Sequence, residues 1–206
     1  MTTAPRRTAR AGAFGRALAR SFYRPDPREV APQLLNKLLV RGERAGRIVE
    51  VEAYCGGEDP GSHAYRGRTQ RNATMFGRPG LLYVYFTYGM HWCANTVCGG
   101  EGVGTAVLLR ALAPVAGVEE MRAARARVRR DRDLCSGPAK LCQAFGLDRA
   151  YDGADLVTGD RGVLVVDDGA APPPAPANGV RVGLSAGAEH PWRWWVAGDP
   201  NLSRPG

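Results

Sequence analysis

The sequence predicts an α+β fold. We expect a single domain with a mixed, mostly antiparallel β core, open and barrel-like, with flanking helices and a protruding β-hairpin. Two observations carry this expectation. Strand-like runs follow one another through short turns, over residues 37–54 and again over 81–98, and helical patterns lie apart from them, near residues 26–36 and 118–146. A chain of 206 residues without internal repeats suits one domain with a substantial core.

Residues 1–20 read as a disordered basic arm and 21–206 as the folded domain. A helix should begin at Asp26, with Asp26 as N-cap, Pro27 in the first turn and Glu29 at the third position. Pro32 should shorten or kink it, and Asn36 suits a left-handed residue at its end. Strands are expected at Lys37–Arg41 and Arg47–Tyr54, joined by the Gly-bracketed turn GERAG. A Gly- and Arg-rich loop over 56–80 precedes a hairpin over Leu81–Cys98 and an apolar strand at Thr105–Leu112. A basic helix is expected over Val118–Arg130, and a second capped by Ser136, with Pro138 in its first turn and Gly146 at its end. Short strands should follow at Gly162–Val166 and Val180–Leu184, joined by the Pro/Ala-rich loop DDGAAPPPAPANG, which need not be ordered. PWRWWV makes a final strand.

The formal net charge of +8 is unevenly placed. Residues 1–24 hold six arginines and no acid, so the other 182 residues carry 22 basic against 20 acidic side chains. A basic arm suits a polyanion, because neutralised phosphates release counterions; a solvated tail explains it equally well. No apolar run approaches the ~20 residues of a membrane span, and the first residues lack the apolar region of a secretory signal. If the source is bacterial, a cytoplasmic, nucleoid-associated protein is expected. The five cysteines are odd in number, contain no C-x-x-C pair and make no zinc spacing with the three histidines; buried free thiols in a reducing compartment are expected.

The strand RIVEVEAY alternates. Val49, Val51 and Ala53 make a core face, so Ile48, Glu50, Glu52 and Tyr54 point the other way. Such a face is often merely solvated. Here it precedes a flexible loop carrying His63 and then a strand dense in aromatics, and a carboxylate walled by rings can serve as a general base. A sugar hydrolase also uses two carboxylates, but on opposite sides of the scissile bond, which two neighbours on one strand face do poorly. The loop SHAYRGRTQRNATMFGR mixes arginines with aromatics in a way that suits a nucleic-acid backbone, and SGPAK sets Lys140 and free backbone N–H groups at a helix start.

Taken together, EVEAY, the His63 loop, RTQRNATMF, LYVYFTYGMHWCAN, LLRAL and LCSGPAKLCQA resemble the alkyladenine (3-methyladenine) DNA glycosylase family, in order, from about Ser21 to Ser203. The resemblance implies a monofunctional enzyme of base-excision repair without lyase activity, acting as a monomer on double-stranded DNA containing damaged purines, with no metal, cofactor or membrane partner. The implied substrates are 3-methyladenine, 7-methylguanine, hypoxanthine and 1,N6-ethenoadenine, flipped from the duplex before hydrolysis. By the same resemblance, Glu52 is the general base and Arg110 helps hold the attacking water. Tyr54, His63 and Tyr85 sandwich the base, and Asn95 rejects guanine. Tyr88 wedges into the vacated stack with Met90 and His91 beside it, while Thr69, Arg71 and Lys140 serve the DNA backbone. Glu50 carries no catalytic role and should be structural or water-facing.

This sequence departs from the family pattern at Val51, Asn36, His91 and the WRWW strand. A non-catalytic nucleic-acid-binding module on the same scaffold is the alternative, although a carboxylate facing a phosphate-rich ligand would only weaken such binding. The hairpin offers a geometric check. A two-residue Gly89-Met90 loop would pair Val84 with Asn95 and set Asn95 opposite Tyr85; a three-residue Gly89-Met90-His91 loop would pair Tyr85 with Asn95. We expect the odd-length loop, or a bulge of the same effect, with Tyr85 and Asn95 on one face.

Overall fold

The computed structural model describes residues 11–204. Among these residues, short turns between β-prone runs produce a curled antiparallel sheet, a half-barrel, with four α-helices around it. Ten strands take part. They are β1 (Arg16–Ala17), β2 (Leu38–Arg41), β3 (Arg44–Tyr54), β4 (Leu81–Thr87) and β5 (His91–Cys98), then β6 (Thr105–Ala116), β7 (Ala154–Asp155), β8 (Val163–Asp167), β9 (Ala177–Gly179) and β10 (Arg193–Trp195). The order is β1-β8-β2-β3-β6-β5-β4-β7, and every pairing described is antiparallel, in keeping with the mostly antiparallel core expected.

Strand β3 organises the sheet. One edge pairs with β6 along most of its length; the other pairs with β2 at its start and with β10 at Glu50–Glu52. The sheet therefore forks where the two glutamates lie. Between β3 and β6 the register breaks on both sides of Glu50. Ile48 pairs with Leu112, Glu50 with Ala111 and Val51 with Leu109, so Val49 is the extra residue on β3 and Arg110 the extra residue on β6. Paired bulges of this kind bend strands and re-aim side chains.

The helices are α1 (Ala11–Phe14), α2 (Pro27–Leu34), α3 (Val118–Ala124) and α4 (Pro138–Phe145). The start of α2 is as its sequence dictates: Asp26 accepts the Arg28 N–H at 2.8 Å, satisfying a helix-end donor. Asn36 takes φ 67°. Val30, Ala31 and Leu34 bury against β3 and β6 with Val51, Ala53, Leu109 and Phe145 in the main core. The five cysteines are free and buried, as expected.

Several elements differ from expectation. The expected arm over 1–20 lies outside the described residues for 1–10, but from residue 11 the chain forms α1 and then β1, which pairs with β8. The basic helix ends at Ala124 instead of Arg130, because Arg125 leaves helical geometry and its guanidinium bonds the carbonyl of Leu134 at 2.6 Å. Ser136 does not cap α4; Gly137 holds the N-cap position, and Ser136 Oγ accepts from Lys140 Nζ at 3.1 Å. Residues 180–184 are not a strand: β9 ends at Gly179, and the Val182 backbone N–H is spent on the buried Glu52 carboxylate described below. The Pro/Ala-rich loop is pinned, its Ala171 carbonyl accepting from Asn36 Nδ2 at 2.7 Å.

Candidate active site

The half-barrel holds a cleft of about 320 Å³. Its walls come from β3, β4, β5 and β6, the His63 loop, the start of α4 and the segment 182–184. Tyr54, His63, Tyr85, Asn95 and Arg110 all line it, and Tyr88 stands at its rim. The structure thus brings together residues separated by up to 56 positions in sequence.

The hairpin is built by an odd-length loop, Tyr88-Gly89-Met90, one residue earlier than expected. Thr87 pairs with His91, Tyr85 with Cys93 and Tyr83 with Asn95. Tyr85 and Asn95 therefore share a face, although they are not direct partners. The shift follows from the turn. Tyr88 at φ 50° and Gly89 at φ 66° give two successive positive values, the sign pattern of a type I′ turn, closed by Met90 N–H to the Thr87 carbonyl at 3.2 Å. The left-handed positions thus fall early in the loop. Tyr88 and Met90 are 81% and 68% exposed and His91 is exposed, so the tip projects a phenol and a thioether into solvent.

The aromatic wall is ordered by contacts the sequence does not announce. Tyr83 stacks beside Tyr85 with centroids 5.3 Å apart, and its hydroxyl lies 3.2 Å from His63 Nδ1. His63 meets Tyr85 edge-on at 4.5 Å. Burial and then the Arg71 charge lower the His63 pKa below its ordinary value, which favours the neutral imidazole at pH 7. Burial pushes the Tyr83 phenol up to about 12. Asn72 clamps the loop: its Nδ2 donates to the His63 carbonyl at 2.8 Å, and its Oδ1 accepts from the Thr69 N–H at 2.6 Å. Arg71 donates to the Phe86 carbonyl at 3.1 Å and lies over the Tyr85 ring, tying this loop to the hairpin. Asn95 is held by its Nδ2 bond to the Tyr83 carbonyl at 3.2 Å. Lys140 is exposed on α4, two residues past Pro138 of the cleft wall.

Behind the cleft lies a fully buried charge cluster. Glu50 and Glu52, on the face away from Val51 and Ala53, have no exposed surface, because β10 and segment 182–204 cover them. Glu52 Oε2 accepts the Tyr54 hydroxyl at 2.9 Å; Oε1 accepts Val182 N–H at 2.7 Å and lies 3.2 Å from Arg110 Nη1. Glu50 Oε1 accepts Arg110 Nε at 3.0 Å, Arg193 Nε at 2.7 Å and Ser203 Oγ at 2.8 Å, while Oε2 accepts Ser203 N–H at 2.6 Å. Two carboxylates thus face two guanidiniums, which is what makes such burial tolerable. Burial opposes the Arg110 charge, but Glu52 and then Glu50 outweigh it and raise its pKa. Burial, and next the Glu52 charge, hold the Tyr54 phenol protonated, well above its ordinary pKa. Glu50 is structural, not water-facing.

A second buried ion pair supports the wall. Arg181 bonds Asp59 at 2.7 Å and the Ala53 carbonyl at 2.9 Å, and its guanidinium lies between the Tyr54 ring (4.7 Å) and the Trp192 ring (5.0 Å). Sequence reasoning missed Tyr83, Cys93, Val182, Arg181, Asp59, Arg193 and Ser203. Tyr83 was reachable, two residues before Tyr85 on the same strand face. Cys93 was reachable in the same way, two residues before Asn95 and opposite Tyr85 in the hairpin; the others contact the site only through long-range contacts that no local pattern marks.

Comparison with known proteins shows the family. A family model described as methylpurine-DNA glycosylase matches residues 21–200. A Burkholderia lata protein is 58% identical over 192 residues, covering 93% of both chains. A Streptomyces avermitilis protein is 50% identical, covering 90% of both chains, and a Rhodopseudomonas palustris protein is 45% identical, covering 94% of both. All three carry the name "Putative 3-methyladenine DNA glycosylase".

Proposed function

Because the chain belongs to the methylpurine-DNA glycosylase family, we propose that it removes alkylated or deaminated purines from duplex DNA by hydrolysing the N-glycosidic bond. The reading covers 3-methyladenine, 7-methylguanine, hypoxanthine and 1,N6-ethenoadenine. The observation that carries it is Glu52, anchored by Arg110 and the Val182 N–H directly behind a cleft walled by Tyr54, His63 and Tyr85.

In this reading the damaged nucleotide leaves the stack and its base enters between Tyr54 and the His63–Tyr85 pair. Stacking contributes about 1–3 kcal/mol per base, and a cationic alkylated purine gains further from electron-rich rings. A neutral His63 does not repel such a base. Tyr88 fills the vacated space with Met90 and His91 beside it, and Thr69, Arg71 and Lys140 contact the backbone. Asn95, fixed by Tyr83, opposes the 2-amino group of guanine.

A water held by Glu52 and Arg110 attacks the anomeric carbon. Its proton passes to Glu52 as the C–N bond breaks, the electron pair leaves with the purine, and the product is an abasic site. Each carboxylate oxygen has two acceptor positions, and Glu52 Oε2 uses one, for the Tyr54 hydroxyl. No lysine lies in the strands that bear Glu52 or Tyr85 to form a Schiff base, so strand cleavage should not accompany base release.

The test is base release from duplexes carrying hypoxanthine or ethenoadenine, with Glu52→Gln in parallel. Wild type should free the base and leave an alkali-labile site, and Glu52→Gln should bind without release. A wild type that binds the duplex but frees no damaged base refutes the proposal.

A further inference from the structure

We propose that Ser203, in the C-terminal segment and beyond the span matched by the family model, is a positioning residue that fixes the rotation of the Arg110 guanidinium against Glu52. The inference rests on the glycosylase reading above and deepens it.

The geometry is a closed triangle. Ser203 Oγ donates to Glu50 Oε1 at 2.8 Å and accepts from Arg110 Nη2 at 3.0 Å, while Arg110 Nε donates to the same Glu50 Oε1 at 3.0 Å. One edge of the guanidinium, Nε and one N–H of Nη2, is thereby committed to Glu50 and Ser203. Nη1 is the nitrogen that faces Glu52, at 3.2 Å. A guanidinium is planar and offers its donors as a fixed fork, so holding Nε and Nη2 determines where Nη1 points. Without the Ser203 acceptor, the group is free to turn and set Nη1 and Nη2 together on Glu52. That bidentate arrangement is stronger than a single contact, and it would occupy carboxylate positions that the attacking water needs.

The fold delivers Ser203 to this place deliberately in the physical sense that each step is bonded. Strand β10 runs antiparallel to β3, with Trp195 opposite Glu50, and the Val196 N–H continues the pairing to the Val49 carbonyl at 2.9 Å. The chain then turns at Asp199, whose Oδ1 accepts Asn201 N–H at 2.7 Å and Asn201 Nδ2 at 2.8 Å. This returns the chain to Glu50, where Ser203 N–H bonds Oε2 at 2.6 Å and the Arg204 carbonyl accepts from Arg193 Nη2 at 3.3 Å. The backbone is thus anchored on both sides of Ser203 independently of its hydroxyl. Arg110 needs such a restraint because it is the extra residue of its strand's bulge and lacks a direct cross-strand partner to fix it.

The experiment compares wild type, Ser203→Ala and Ser203→Thr, all full-length, on a duplex with one hypoxanthine under excess protein. It reads the single-turnover rate of base release, affinity for a duplex carrying an uncleavable abasic-site analogue, and Tm. Ser203→Ala should slow release about tenfold or more, the usual scale for a hydrogen bond to a charged group, with affinity unchanged. Ser203→Thr keeps the hydroxyl and should restore most of the rate. Unchanged release in Ser203→Ala overturns the inference, as does a Thr variant impaired as much as the Ala variant, or a rate loss matched by loss of folded protein. A wild type that binds but frees no base defeats the glycosylase reading and this inference with it; an active wild type with an equally active Ser203→Ala defeats this inference alone.

Discussion

The Tyr54 hydroxyl donates to Glu52 Oε2 at 2.9 Å, so one strand face places a pocket ring and the carboxylate behind it in direct contact. The two roles of Tyr54 can be separated. Tyr54→Phe keeps the ring and should retain affinity for lesion-bearing duplex while changing the release rate. Tyr54→Ala removes the ring and should weaken lesion binding by roughly 1–3 kcal/mol. Equilibrium binding and single-turnover kinetics on the two variants distinguish these outcomes; equal effects in both would show that the hydroxyl, not the ring, dominates.

Glu50 and Glu52 should part company on substitution. Glu52→Gln is expected to cut base release by about 10²–10⁴, the range for a general base, with a smaller effect on folding. Glu50 accepts four hydrogen bonds, two of them from guanidiniums. Glu50→Gln leaves Arg110 and Arg193 undercompensated in a buried site, a loss of about 3–5 kcal/mol. For a chain of this size that corresponds to a Tm drop of roughly 6–20 °C. Calorimetry on both variants checks the contrast.

The histidine at the cleft mouth gives a signed pH dependence. Burial and the Arg71 charge hold the folded-state pKa of His63 below its ordinary value near 6.5. Between the folded and unfolded values the unfolded chain binds more protons, so stability rises with pH there. The contribution is present above the unfolded pKa and is lost as pH falls through the folded one. NMR titration should find His63 ionising below 6.5, and Arg71→Ala should move it upward. An unmoved titration would show that burial alone sets it.

Tyr88 combines 81% exposure with φ 50°, a conformation costly for a residue with a Cβ. Tyr88→Gly relieves that cost, offset in part by the added freedom of the unfolded chain. We expect Tm to hold steady or rise while base release from duplex falls. The loss should be smaller for a lesion in a mismatch, where extrusion is easier. A variant that loses stability and keeps full activity would contradict a wedge role.

Local rules were enough to place much of the fold. Asp26 capped α2, Asn36 turned left-handed after it, the short turns made antiparallel neighbours and the odd-length hairpin loop brought Tyr85 and Asn95 to one face. Alternation along β3 put Val51 and Ala53 in the core and Glu52 with Tyr54 on the other side. These features depend on periodicity, capping and φ preference within a few residues. The family, too, was legible, because its motifs keep their order along the chain.

Only the tertiary structure decided what surrounds Glu52. Alternation says that the glutamates leave the Val face, but not that β10 and the C-terminal segment cover them. Their burial follows from the fork of the sheet at β3. The bulge that frees Arg110, the Arg181–Asp59 pair and the Ser203 contact join positions 58 to 153 residues apart. A salt bridge or hydrogen bond at that separation exists only once strand register brings its partners within about 3 Å of each other, and no stretch of the sequence taken by itself contains that information.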